Sequence, residues 1–133
     1  MSFLLDTNIC SAHLRRPTLL THRFQQYSGR LFLSAITLGE LYTWAHSRDD
    51  PADLLNLISV EFVHTTNVLP FDAKAASIFG KIRGQFLRQG FKFSLMDLEI
   101  ASIALANDLT LVTNNTKDFR NVPDLRIVDW LES

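Results

Sequence analysis

The residues that could do chemistry in this chain are four acids: Asp6, Glu40, Asp97 and Asp118. Each falls where an apolar, strand-like run gives way to a turn or helix, or near the start of a helix. Asp6 ends the run Phe3-Leu4-Leu5, and Glu40 follows Leu31-Phe32-Leu33 and the turn at Ser34. Asp97 opens the helical pattern Ile100, Ala101, Ala104, Leu105, and Asp118 follows the run from Leu109 to Thr113. In an α/β fold, strand ends and helix starts on one edge of the sheet share a crevice. Four carboxylates gathered there would repel one another, and a bound divalent cation is the simplest remedy. Magnesium suits such an oxygen-only donor set. It would acidify water and neutralise charge growing on a phosphate. That combination is suited to hydrolysis of a nucleic-acid backbone.

Each acid also has a structural explanation. Ser34-x-x-Thr37, Thr37-x-x-Glu40 and Ser94-x-x-Asp97 are helix-start signals. Asp6 could cap the first helix and Asp118 a turn. Caps, however, do not require an apolar strand leading into them at matching ends, and that repeated placement favours a shared site. The histidines at 13, 22, 46 and 64 show no metal-ligand spacing and read as surface or packing residues. No Ser–His or Cys–His pairing supplies a protein nucleophile, so water is the expected one. The glycine-rich phosphate loops are absent. Asn8 stands where a haloacid-type phosphatase needs a second Asp. A phosphoreceiver would need paired acids after the first strand.

The elements that must position the acids follow from periodicity. Strands are expected over 2–6, 31–34, 109–112 and 126–128, with an extended stretch over 62–69. Helices are expected over 6–14, 19–27, 35–45, 52–60, 72–89 and 96–107, with a short one over 116–120. Phe3, Leu4 and Leu5 run without alternation, as in a strand covered on both faces. The helix over 72–89 would bury Ala75, Ile78, Phe79, Ile82 and Phe86 and end at Gly90. Lys74, Lys81, Arg83, Arg88 and Lys92 along or just past it read first as a solvated face and second as an RNA-contacting ridge. Trp130 and Leu131 would pack the C-terminus down. Strands alternating with helices imply α/β with a mainly parallel sheet.

At 133 residues the chain suits one domain, 1–133. A net charge of -1 excludes a binder that relies on a broadly basic surface. One cysteine, Cys10, excludes an internal disulfide and a cysteine-rich zinc site. With no leader and no membrane-length apolar run visible, a soluble, cytoplasmic protein is expected.

Four segments together resemble a known family. They are Leu4-Leu5-Asp6-Thr7-Asn8, Ser34-x-x-Thr37-x-x-Glu40-Leu41, Asp97-Leu98-Glu99-Ile100-Ala101, and the run from Leu111 to Phe119. In order and spacing they are similar to the motifs of PIN domains, in particular VapC-type toxins of prokaryotic toxin–antitoxin pairs. The resemblance implies a three-layer α/β/α fold with a small, mainly parallel sheet. It implies a magnesium- or manganese-dependent endoribonuclease that forms homodimers and is held inactive by a VapB-type antitoxin. Carried over, Asp6, Glu40, Asp97 and Asp118 become the catalytic, metal-holding quartet, with Asn8, Thr113 and Asn115 as polar support. Arg15, Arg16, Lys117 and Arg120 are candidates to draw the substrate, since they flank the first and fourth motifs. Glu99, two residues past Asp97, would point about 200° away on a helix and stay outside the site. Transfer, ribosomal and messenger RNA are equally compatible with such a site. The alternative reading is a PIN-like RNA- or protein-binding module without catalysis.

Overall fold

The computed structural model describes residues 1–132. Five strands build its sheet: β1 (Phe3–Leu5), β2 (Leu31–Ser34), β3 (Asn67–Leu69), β4 (Thr110–Val112) and β5 (Ile127–Val128). Their order is β3-β2-β1-β4-β5 and every pairing is parallel. β1 is central, with Leu5 level with Leu33 on one side and Val112 on the other. The chain lays strands outward in one direction from β1, then returns to its other side. That reversal opens a crevice beyond the C-terminal ends of β1 and β4.

Seven α-helices flank the sheet: α1 (Thr7–Arg15), α2 (Thr21–Gln26), α3 (Ala35–His46), α4 (Ala52–Ile58), α5 (Ala73–Gln89), α6 (Leu95–Ala106) and α7 (Thr116–Phe119). Successive strand residues point to opposite faces. Phe3 and Leu5 therefore enter one core with Ile9, Leu41, Ile58 and Phe62, while Leu4 enters the other with Ile82, Phe86, Ile100 and Ile103. Both faces are covered, which explains the unbroken apolar run in β1 and gives the α/β/α layering. α6 is buried nearly all round, from Leu98 to Ala106. Its alanines let it sit close to its neighbours, and its first turn is held against the crevice.

The helix starts use the expected caps. Ser34 Oγ accepts the Thr37 N–H at 2.9 Å, Ser94 Oγ the Asp97 N–H at 3.3 Å, and Asp72 Oδ1 the Ala75 N–H at 2.9 Å. Gly90 closes α5 in the left-handed region at φ 73°, and the Phe91 N–H reaches back to the Phe86 carbonyl at 3.0 Å. Only glycine adopts that conformation without strain. Trp130 is buried and stacks on Tyr27, with ring centroids 5.5 Å apart. Among the described residues no helix is long and apolar enough to cross a membrane.

Two segments differ from the periodicity reading. The stretch 62–69 is extended only over β3; residues Ser59–Val63 form a π-helical turn that continues α4. Leu54, Ile58 and Phe62 recur every four residues and are all buried, so helical winding continues until Phe62 is seated. The helix expected over 19–27 is shorter, because Pro17–Leu19 form a separate 3-10 turn before α2.

Leu111 is fully buried in the middle of β4. Leu111→Ala should lower unfolding free energy by about 2–5 kcal/mol in a denaturant titration.

Candidate active site

Asp6 is the first residue beyond β1 and the N-cap of α1. It is 3% exposed, so its carboxylate must be satisfied by the protein. Oδ1 accepts the Thr7 N–H at 2.8 Å and Oδ2 accepts the Thr113 hydroxyl at 2.8 Å. The Thr113 oxygen accepts the Asn115 N–H at 3.0 Å, so the turn after β4 orients the hydroxyl. Burial raises the pKa of Asp6, the bonds from Thr113 and Thr7 pull it back, and the charges of Glu40 and Asp118 raise it again.

Glu40 projects from α3 toward the same end of the sheet. Its Oε1 accepts the Thr7 hydroxyl at 2.7 Å. Thr37 Oγ1 lies 3.2 Å from Thr7 Oγ1. The single Thr7 proton goes to the carboxylate, so the Thr37 hydroxyl is the donor in that contact. Thr7 thus ties α1 to α3 through Glu40.

Asp97 lies in the first turn of α6 and is half-buried. A helix N-terminus favours a carboxylate. Here the opposite effect wins: burial first, then the charges of Asp6, Asp118 and Glu40, raise its pKa to about 6. Those three charges place the whole quartet in one electrostatic neighbourhood. Glu99 is not among them. Asp118, on α7, is exposed, with its own N–H bonded to the Asn115 carbonyl at 3.0 Å.

The acids surround a space without closing on a point. Among the described residues, no three His, Cys, Asp or Glu side chains form a ready ligating cluster. Glu40 is turned to Thr7, and both oxygens of Asp6 are engaged. The donor set nevertheless fits a hard cation. It is all carboxylate and mutually repulsive, the chemistry that suits an ion with oxygen ligands. Cys10, the one thiol, is buried, and burial and the Asp6 charge push its pKa well above the ordinary value.

The other predicted residues fall in several places. Asn8 is exposed, and its carbonyl accepts the Ser11 hydroxyl. Asn115 supports Thr113 through its backbone. Lys117 lines a cavity of about 390 Å³ together with Asp97 and Asp118. Arg15, Arg16 and Arg120 do not line it, and Arg15 lies over the Trp44 ring at 5.0 Å. His13 is a packing residue, buried against Phe24 with Nε2 3.2 Å from Glu61. It borders a larger cavity of about 520 Å³ that contains none of the four acids. The tether from Thr37 and Thr7 to Glu40 has no signature in the sequence. A threonine after an aspartate at a helix start looks like any other helix opening, and only the fold reveals its reach to Glu40.

Two outcomes follow. Without metal, the folded state holds a proton on Asp97 between the ordinary 3.8 and about 6, where the unfolded chain has lost it. Stability should therefore fall as pH rises through that window, and Asp97→Asn should flatten the slope in pH-dependent melting. Thr113→Val removes a buried hydrogen bond to a carboxylate. It should cost about 1.5–3 kcal/mol at neutral pH in chemical denaturation.

The family model of the PIN domain matches residues 3–125. The chain is 39% identical over 132 residues to the tRNA(fMet)-specific endonuclease VapC of Shigella flexneri, covering 98% of each chain. It is 33% identical over 132 residues to ribonuclease VapC2 of Haemophilus influenzae, covering 98% of this chain and 99% of the relative. Its fold is similar to the crystal structure of DNA-bound VapBC from Salmonella typhimurium, with a TM-score of 0.92, 34% identity and 98% of each chain covered. VapBC2 of Rickettsia felis, bound to a promoter DNA fragment, gives a TM-score of 0.90 at 28% identity, over 98% of this chain and 99% of that one. The matched span includes all four acids and the hydroxyls that hold them, and the chain belongs to the PIN-domain family, among the VapC ribonucleases.

Proposed function

We propose that this protein is an endoribonuclease, the toxin of a toxin–antitoxin pair, and that Asp6, Glu40, Asp97 and Asp118 are its catalytic and metal-holding residues. The observation that carries this is the charge coupling of Asp97 to the other three acids at one end of the sheet. Its relatives support the reading: they are named as ribonucleases, and the similar solved structures are VapBC complexes. A VapB-type antitoxin is the partner on the same grounds, and a homodimer is the assembly we propose.

Asp6, Glu40 and Asp97 would hold magnesium, or manganese in its place, with Asp118 completing the set from the exposed side. The ion, when bound, supplies positive charge against the phosphate and lowers the pKa of water. The chain's own residues prepare that binding. Thr113 and Thr7 fix the rotamer of Asp6, so little ordering remains when ligands gather. Thr7 does the same for one oxygen of Glu40 and leaves the other free. Asp97, ionised above about pH 6, supplies a carboxylate whose ionised form added positive charge would favour. Asp118, open to solvent, would orient the attacking water. The substrate is RNA, with transfer RNA the first class to test, given the named specificity of the Shigella relative.

The test is incubation of purified, antitoxin-free protein with total small RNA, with magnesium, with chelator, and as Asp97→Asn. Discrete fragments should appear only with metal and intact Asp97. The substitution should lower the rate about 100-fold or more, since it removes several kcal/mol of charge stabilisation. RNA left intact in every lane by a folded sample would overturn the nuclease and favour a binding role.

A further inference from the structure

The cavity of about 390 Å³ beside Asp97 and Asp118 is built from more than carboxylates. Its rim carries Phe91, Lys92, Lys117 and Asn121. Phe91 packs on the buried Phe86, with ring centroids 5.5 Å apart, yet remains 45% exposed. It is held firmly, because the Gly90 turn and the bond from the Phe91 N–H to the Phe86 carbonyl fix its backbone. Lys92 and Lys117 are exposed, and the ion pairs among the described residues, His13–Glu61 and Arg126–Asp108, involve neither. Two free cations, an anchored open ring and an amide therefore stand next to two acids of the active site.

Each part matches one part of a nucleotide. An aromatic face takes an unstacked base, lysines take backbone phosphates, and an amide reads a base edge. The volume lies in the range of small-ligand pockets and is ample for one base. We propose that this cavity is a nucleotide subsite that receives one unpaired base of the RNA beside the scissile bond, stacked on Phe91. The proposal rests on the ribonuclease reading and adds to it the residue that receives a base, Phe91. Lys92 and Lys117 contact the flanking phosphates, and Asn121 contributes preference among bases.

The experiment uses a synthetic, end-labelled RNA hairpin with an unpaired loop, and a set of the same RNA with one loop nucleotide at a time made abasic. Wild type, Phe91→Ala and Phe91→Trp are compared for cleavage and, by anisotropy, for binding. Phe91→Ala should raise KM and weaken binding about 5- to 150-fold, the range of one lost base stack, while Phe91→Trp retains both. One abasic position should reproduce that loss and show no further loss when combined with Phe91→Ala. Equal loss on every abasic RNA would overturn the subsite. So would a loss that tracks a change in mass in solution, which would assign Phe91 to contact between copies. Failure of the wild type to cleave counts against the nuclease reading. Binding by anisotropy still reports on the subsite in that case.

Discussion

The whole arrangement depends on one costly act, the burial of the Asp6 carboxylate at the end of the central strand. A charge so nearly removed from water needs partners, and the protein provides them from two directions. One is the first N–H of the helix that follows, and the other is a hydroxyl just past β4. The fit requires β1 and β4 to lie side by side in register, with Leu5 level with Val112. Sheet register and site geometry are therefore the same constraint. A slip of one residue would exchange the side chains of β1 between the two cores and also strip the carboxylate of its hydroxyl.

The acids are held apart as deliberately as they are brought together. Helix caps, dipoles and hydroxyls could each have lowered their pKa values, yet Asp6 and Asp97 both lie above the ordinary range. Desolvation and mutual repulsion win. The site is left with unspent negative charge, and positive charge is what it attracts. The structural and functional readings of Asp6 do not compete: one oxygen caps a helix while the other meets Thr113. Glu40 and Asp97 differ from it, because serines perform the capping at both helix starts and leave those carboxylates for other work.

Much of this was legible in the sequence because it rests on local rules. The covered strand at Phe3–Leu5, the caps at Ser34 and Ser94, the glycine stop after α5 and the placement of the acids all follow from short-range pattern. The π-helical turn at Ser59–Val63 was not legible, since its cause is a single buried phenylalanine that the tertiary core selects. Thr7 was not legible as a tether, because its partner lies 33 residues away. The same holds for the separation of the candidate cations. Lys117 reaches the cavity of the acids, whereas Arg15 is drawn onto Trp44, a choice that depends on how α1 meets α3.

The central position of β1 also has a consequence for how the protein comes into being. The strand made first is the one that must be flanked on both sides, and the hydroxyl that completes Asp6 lies 107 residues further along. A growing chain that has made only α1 to α4 can pair β1 with β2 but lacks β4, Asp97, Thr113 and Asp118. Contacts so distant in sequence close late. The four acids and the hydroxyl that supports Asp6 therefore come together only after β4 and α7 have been made.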